Sequence, residues 1–501
     1  MRLGVVAVLL GWFGWYAYLR LTVEPPIRVE DVYAGTVPLG PPEPGDVTAE
    51  LTTLVLALTA EVPFTLPPPE GMAWKWRYDY DAGHLSIEDI TRGPWTPADR
   101  PNLRAVIAHL EDDATRERLA ALRALRGRPW HYDQYGFRRG TYEGISLTQR
   151  RAAVKLLTSD ARYQHAERGD LAAAWEDVQT AIWLSRPVEV ETLLTVLLQA
   201  GCARLFLPEL QHMSREHIVD GALAADIDRV LRQWPSPRQT WPAAMNGEEA
   251  ATQRLIDACF TRDGTGQGWY VLSRRQPLLK RLSRDTALAT AGQLPLWNLA
   301  SVLYNDRRTV ETKRAAYYDL LRSLPELPYA DALAVVDEMA PRGESFTAPE
   351  SPFTSLDGGV LHLVMLWSTP WAYEDTVATY AAAGATRLTL ALSRFKSEHG
   401  VYPETLAELV PTCIPDLPLD PFADGPFQYR RDGDTYVLYS RGDDGVDDGG
   451  KTWFPDRTAR SDPDTLYSYR RPRPLCEPEL VPIGESATEV EPEEESEESE
   501  P

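Results

Sequence analysis

The sequence lacks the short motifs that carry most nucleophilic, zinc and dinucleotide chemistry. It contains no Gly-x-Ser-x-Gly, His-Glu-x-x-His, Gly-x-Gly-x-x-Gly or Cys-x-x-Cys. His212 and His217 miss the i, i+4 spacing of a helical metal pair, so with Glu216 we interpret them as side chains at a helix end. The best acid/base candidate is His131 with Asp133, for which a hydrogen-bonded loop histidine is the alternative. We therefore predict that the protein is not an enzyme.

Positive charge and cysteine are also scarce. The chain has 51 Lys and Arg against 74 Asp and Glu, a formal net charge of −23, which disfavours binding to nucleic-acid phosphates. Of the four cysteines, Cys202 and Cys259 lie in apolar helical segments and are interpreted as core residues. Cys413 and Cys476 flank the C-terminal region, and either a disulfide or two separate thiols would fit the sequence there.

A long apolar run stands at the start of the chain. Positions 4–19 carry no charge and are rich in aliphatic and aromatic residues. A helix of 20 residues rises about 30 Å, enough to cross a bilayer. Residues 1–23 are therefore predicted to form a transmembrane anchor, with a cleaved signal peptide or a buried helix as the alternatives.

Proline, glycine and aromatic residues are frequent in the stretch that follows, residues 24–101. Residues 24–46 are rich in Pro and Gly, as in a spacer, and residues 47–101 form a mixed, aromatic-rich region that begins with a predicted helix over 47–61. Trp74 and Trp76 alternate with charged residues, which predicts a strand with an aromatic face. That face either packs in a core or forms a platform for a sugar or peptide.

Helical periodicity dominates residues 102–350. Its clearest unit is 150–186, where Gly169-Asp170 separates two helical patterns and Ala174, Val178 and Ala181 occupy small or apolar positions. This unit resembles a single tetratricopeptide-type repeat. Since no second copy follows at a period of about 34 residues, we predict a divergent, helical-repeat-like body that presents a surface to a protein partner.

An acidic loop at 439–450 is the most distinctive stretch of the chain. It contains four glycines together with Asp443, Asp444, Asp447 and Asp448. Carboxylates this close repel one another unless they are solvated or bridged by a hard cation, and the glycines let backbone carbonyls turn inward. The loop predicts a calcium site, with a solvated acidic turn as the alternative.

The elements before this loop follow a recognisable order. Leu388, Leu392 and Phe395 share one helix face, and Gly400 would end that helix. Alternating apolar residues at 427–429 and 436–440, around a Gly-Asp turn, predict a hairpin that leads into the acidic loop.

Three segments match one known family in this order: Glu-His-Gly-Val-Tyr-Pro at 398–403, Leu-Pro-Leu-Asp-Pro-Phe at 417–422 and Leu-Tyr-Ser-Arg-Gly-Asp-Asp-Gly at 438–445. With them, residues 376–460 resemble the C-terminal domain of the major pseudopilin of type II secretion systems. The resemblance implies a calcium site in which Asp444 is the acidic ligand and the Arg441 carbonyl is a backbone ligand. Asp447 and Asp448 would replace the family's later acidic ligands, and Asp443 completes the predicted set.

Weak calcium sites suit extracellular calcium levels, so we expect the bulk of the chain on the extracytoplasmic side of the inner or cytoplasmic membrane. The predicted fold is mainly α, with a small C-terminal α+β module and a single membrane anchor. Its predicted C-terminal divisions are a docking segment (351–375), the pseudopilin-like module (376–473) and a disordered acidic tail (474–501).

The predicted function is that of a non-enzymatic envelope protein, structural or related to secretion. It would contact the membrane and an unidentified protein partner, but no nucleic acid. The alternatives are an adaptor that captures a protein through the helical body and a hydrolase of envelope polymers. Because the head-like module lies far from the start of the chain, we do not expect polymerisation as a pilus subunit.

Overall fold

The structure, a computed structural model, describes the greater part of the helical body and of the C-terminal module. The described residues are 44–60, 72–75, 81–82, 95, 101–130, 145, 147–186, 192–217, 219–260, 268, 306–339, 369–442, 447, 449–450, 465–466 and 479–482. In these ranges the chain is mainly helical, with a small strand region near the C-terminus. The mainly α class with C-terminal strands is thereby confirmed.

The predicted anchor at 1–23, the spacer up to residue 43 and most of the docking segment lie outside the described residues. Among the helices that are described, none combines the length and the apolar character needed to cross a membrane.

The helices occupy the segments in which helical periodicity was found. In chain order they are α1 Thr48–Ala60, α2 Pro101–Glu111, α3 Asp113–Ala124, α4 Leu147–Glu167, α5 Leu171–Ser185, α6 Leu193–Glu216, α7 Gly221–Arg232, α8 Pro237–Cys259, α9 Arg307–Ser323, α10 Tyr329–Met339 and α11 Thr369–His399. The helix predicted over 47–61 is confirmed by α1.

The chain divides into two compact units. The first comprises 1–59 and 117–470, and the second comprises 60–116 and 471–501. In the second unit, β1 (Met72–Lys75) pairs antiparallel with β2 (Asp81–Ala82) and with β8 (Glu479–Pro482). β8 lies in the segment predicted to be a disordered tail, and for these four residues that prediction is wrong. Apolar Leu480 and Val481 interrupt the glutamates there and supply a short stretch able to pair with β1.

The two-helix unit predicted at 150–186 is present as α4 and α5. Gly169 has φ +65°, a left-handed conformation that glycine adopts without a steric penalty. Asp170 caps α5 by accepting a hydrogen bond from the Ala173 amide at 2.9 Å. The small face formed by Ala174, Val178 and Ala181 is at most 1% exposed, and α6 packs on both helices. The likeness to a tetratricopeptide-type repeat stays a prediction.

Helix α11 joins the helical body to the C-terminal module. It packs on α6, α7 and α8 and also contacts the strands that follow it, so one hydrophobic core runs from Trp241 through Leu388 to Phe427 and Leu438. At Gly384 an added Cβ would lie 3.2 Å from Pro418 Cβ and 3.3 Å from the Phe427 ring, so the glycine permits this close approach.

The predicted stop of this helix is confirmed, since Gly400 has φ +78° and its amide donates to the Lys396 carbonyl at 2.7 Å. The helix begins at Thr369, so the predicted division between the docking segment (351–375) and the module (376–473) falls inside it.

The C-terminal module continues with a 3-10 turn and short antiparallel strands. The turn, Leu406–Leu409, is followed by the pair β3 (Leu419–Asp420) and β4 (Gly425–Pro426). β5 (Gln428–Asp432) and β6 (Thr435–Ser440) form the predicted hairpin, and β7 (Thr465–Leu466) pairs with the end of β6. The acidic loop therefore leaves directly from the end of β6.

Candidate metal centres

The structure describes two of the five residues predicted to bind calcium. Arg441 and Asp447 lie among the described residues, whereas Asp443, Asp444 and Asp448 lie outside them. The predicted calcium site therefore stays a prediction, and only the two ends of its loop have a described environment.

Asp420 holds the start of the acidic loop. Its Oδ1 accepts hydrogen bonds from the Ser440 hydroxyl at 2.8 Å and the Phe422 amide at 3.1 Å, and its Oδ2 accepts from the Arg441 amide at 3.1 Å. Ser440 Oγ in turn accepts from the Gly442 amide at 3.2 Å. Burial raises the pKa of Asp420, although these hydrogen bonds oppose the shift. The aspartate of the Leu-Pro-x-Asp-Pro-Phe segment is thus a buried anchor and not a solvent-facing ligand.

The far end of the acidic loop is bonded to β6, the strand from which the loop leaves. Asp447 Oδ1 accepts hydrogen bonds from the Tyr439 hydroxyl at 2.8 Å and the Gly449 amide at 3.0 Å. The bond from Tyr439 is the main cause of a lowered pKa at Asp447, which favours the ionised carboxylate. Gly450 packs so closely that a Cβ would lie 3.0 Å from atoms of Tyr439 and Val437. The start of the loop is therefore fixed by Asp420 of β3 and Ser440 of β6, and its far end is fixed to β6.

A second group of ionisable side chains lies where the last turns of α4 and α6 meet. His165 is on α4, Glu209 and Glu216 are on α6, and His217 is the residue at which α6 ends. The earlier interpretation of Glu216 and His217 as side chains at a helix end is confirmed. Among the described residues, His165, Glu216 and His217 form the one group of three whose potential ligand atoms could hold a metal ion, all within 4.8 Å of one another.

The distances in this cluster, which we call the histidine cluster (His165, Glu209, Glu216 and His217), are short. His165 Nδ1 lies 3.2 Å from His217 Nε2 and 3.6 Å from Glu216 Oε2, and His165 Nε2 lies 2.5 Å from Glu209 Oε1. The two rings meet edge to face with centroids 5.3 Å apart. His165 has no exposed side-chain surface, whereas the Glu216 side chain is 38% exposed. The cluster thus reaches from the core to solvent.

Arg162 and His212 complete the surroundings of the histidine cluster. Arg162 Nη2 donates to Glu216 Oε1 at 2.9 Å, and Arg162 Nη1 lies 3.6 Å from Glu209 Oε1. Burial acts to raise the pKa of Glu209, but the hydrogen bond with His165 and the charge of Arg162 outweigh it and leave the pKa below its usual value. Burial lowers the pKa of both His212 and His217. These surroundings therefore favour an ionised Glu209 and neutral imidazoles at His212 and His217.

Sequence reasoning found one half of this cluster and missed the other. His165 lies 52 residues before His217, and no local spacing connects them. The predicted two-helix unit was the signal from which the proximity of these residues could have been inferred. If α6 starts the next unit, it runs in the same direction as α4, so that the ends of α4 and α6 lie side by side.

The structure shows no second site around the other candidate residues from the sequence that it describes. His131, Asp133 and Trp76 lie outside the described residues, and Trp74 lies in β1. Cys202 is a free, buried cysteine whose pKa burial raises to about 11, as expected for a core thiol. Cys413 is also free and buried, so the alternative in which it pairs with Cys476 is not observed; Cys476 lies outside the described residues.

Comparisons with known proteins identify no relative of this chain. The chain matches no protein-family model, no curated protein and no solved structure.

Proposed function

We propose that the chain is a non-enzymatic, membrane-anchored envelope protein, structural or related to secretion, whose C-terminal module is stabilised by calcium. The helical body carries this module away from the membrane. The pseudopilin resemblance of 376–460 suggests the module's role, and the apolar run at 4–19 suggests the anchor. The bulk of the chain would then face the extracytoplasmic side.

The observation that carries the calcium proposal is the fixation of both loop ends to neighbouring strands, the first to β3 and β6 and the second to β6. Asp420 and Ser440 hold the first end, and the second is held by Tyr439 through Asp447. The sequence places all the loop carboxylates between or beside these fixed points. Fixed ends reduce the conformational entropy that a bound ion must overcome, and a hard cation would offset the mutual repulsion of the carboxylates.

Calcium titration of the full-length chain in mild detergent tests this proposal. We expect saturable binding of about one equivalent, with a dissociation constant on the order of 10⁻⁴–10⁻³ M, as in extracellular modules, and a raised melting temperature. Asp444→Ala should abolish both effects, since Asp444 is the acidic ligand that the resemblance implies. The matched control is Asp434→Ala, which removes an exposed carboxylate from the β5–β6 turn of the same module.

Two results would remove calcium from the proposed function. One is an absence of saturable binding up to several times 10⁻³ M calcium, the weak end of natural sites. The other is an Asp444→Ala variant that binds calcium and melts like the parent.

The continuous core also decides how the adaptor alternative has to be tested. A chain ending near residue 350 would lose α11, which packs on α6, α7 and α8, and would leave part of their core uncovered. Loss of partner binding in such a truncation would therefore be uninformative. Point substitutions on the exposed surface of the helical body are the appropriate test.

A further inference from the structure

The histidine cluster has the composition and the spacing of a transition-metal site. Its two imidazoles and one carboxylate are ligands that zinc and neighbouring divalent metals accept, whereas calcium prefers oxygen ligands alone. It lies on α4 and α6, away from the acidic loop in the chain, and it uses none of the residues predicted to bind calcium.

The two separations from His165 fit a tetrahedral ion. With zinc bonds of about 2.0–2.1 Å, two ligands of a tetrahedron lie about 3.3 Å apart. The nitrogen atoms of His165 and His217 are separated by 3.2 Å, and His165 Nδ1 and Glu216 Oε2 by 3.6 Å. The ligand atoms of all three side chains lie within 4.8 Å of one another, so adjustments of rotamer can bring them around one ion.

Glu209 orients the most buried of these ligands. Its Oε1 lies 2.5 Å from His165 Nε2, and with Nε2–H as the donor to this carboxylate the lone pair of Nδ1 faces His217 and Glu216. A carboxylate bonded to the distal nitrogen of a metal-binding histidine is the usual arrangement that fixes the tautomer and the ring orientation. Arg162 holds Glu216 in a comparable way, through Oε1, so that Oε2 is left for the ion.

The cluster also provides a path for entry. Glu216 and His217 lie at the end of α6 and are partly open to solvent, whereas His165 closes the site from the core side. Three protein ligands with one side open leave a fourth position to water.

We propose that His165, Glu216 and His217 bind one divalent transition-metal ion of the zinc class, with Glu209 as the positioning residue for His165. The ion ties the last turn of α4 to the end of α6. This proposal does not depend on the calcium proposal, because the two sites share no residue and call for different metals.

The test is a titration of the full-length chain with zinc after treatment with a chelator. We expect one equivalent to bind and the melting temperature to rise. Cobalt(II) should bind in competition with zinc and give the visible absorption of a tetrahedral site. Millimolar calcium should displace neither ion.

Three variants define the site. His217→Ala, at the partly exposed end of α6, should abolish binding without removing a buried side chain. Glu209→Gln should weaken the affinity by about 10–100-fold, as loss of a carboxylate bonded to a metal-binding histidine does. The matched control, His399→Gln, changes an exposed histidine at the end of α11 that bonds the Phe395 carbonyl, and it should bind zinc like the parent.

Two outcomes overturn the proposal. A parent chain that binds no zinc would show that His217 Nε2–H merely donates a hydrogen bond to His165 Nδ1. Unchanged zinc affinity in His217→Ala would place the ion elsewhere on the chain. Asp444→Ala should retain zinc binding, which separates this result from the calcium test.

Discussion

The strands of the C-terminal module and the packed helices differ in how their buried polar groups find partners. Among the strands, Asp420 is bonded by donors that lie no more than 21 residues away in the chain. Among the helices, Arg123 bonds Asp160 and Asp177 across separations of 37 and 54 residues, and Arg387 on α11 bonds Asp228 on α7 across 159 residues. The partners of Asp420 thus belong to one local segment, whereas these partners between helices are distant in the chain.

This difference explains which features can be recognised in a sequence. A local network leaves a compact motif, because the residues that bond one another lie close in the chain. A network between helices leaves no motif, because its charged residues are separated by no characteristic number of positions in the sequence. The comparison also predicts that the packed helices depend on charge pairing, whereas the strands of the module depend on neutral hydrogen-bond donors.

The largest expected effect is that of Arg123→Ala in the body. The guanidinium lies 2.5 Å from Asp160 and 2.6 Å from Asp177, and neither carboxylate has exposed side-chain surface. Its removal leaves buried charge without compensation, so the free energy of unfolding should fall by about 3–5 kcal/mol in chemical denaturation. Arg128→Ala is the control, because its pair with Glu50 is exposed and should contribute less than about 1 kcal/mol. Equal losses in both variants would contradict the comparison.

A smaller loss is expected from Asp420→Ala in the module. The change leaves the amides of Phe422 and Arg441 and the hydroxyl of Ser440 without their acceptor, at a cost of about 1–3 kcal/mol. Because the module shares its core with the body, thermal melting should show their unfolding together at a lower temperature. Asp434→Ala should melt like the parent. A separate early transition of the module alone would show that the shared core is not cooperative.

A pH dependence follows from Asp177. Burial and the neighbouring charge of Asp160 hold its pKa well above 3.8, although Arg123 opposes this shift. A carboxyl with a raised folded-state pKa contributes stability that is complete below its unfolded pKa and is lost as the pH rises through the folded-state pKa. The stability of the parent relative to Asp177→Asn should therefore decrease from pH 4 upward, as measured by denaturation at several pH values. A difference that stays constant with pH would contradict the raised pKa.

The smallest effect is expected at the surface of the module. Arg431 Nη1 lies 2.5 Å from Glu404 Oε1, but the Glu404 side chain is 73% exposed. Glu404→Gln should change the free energy of unfolding by less than about 1 kcal/mol, and the change should shrink in high salt because solvent and ions screen the pair. Denaturation at low and high salt measures it. A loss as large as that of Asp420→Ala would contradict the dominance of neutral donors in the module.

The parts of the fold that could be predicted are those with a local signal. The hairpin of β5 and β6 and the helix stop at Gly400 follow from alternation and turn residues within a few positions. The start of α11 could not be found in this way, because its first half, rich in Ala and Thr, is buried on most sides and shows no polar face. Helical periodicity requires an exposed face to alternate with a buried one.

The candidate sites follow the same rule. The acidic loop was visible because its carboxylates are consecutive, and its ligand set stays a prediction. The histidine cluster was half visible, since Glu216 and His217 are adjacent but His165 belongs to another helix. Asp420 belongs to the Leu-Pro-Leu-Asp-Pro-Phe motif, but its burial cannot be deduced from a motif alone.

The position of α11 has a consequence for fragment complementation. A cut between residues 340 and 368 would yield one piece that contains α4 to α10 and another that contains α11 with the hairpin, and each would carry half of a single core. Such halves should be poorly soluble alone and should reassociate when they are produced together. Reassociation of the two pieces would then report that they share one core.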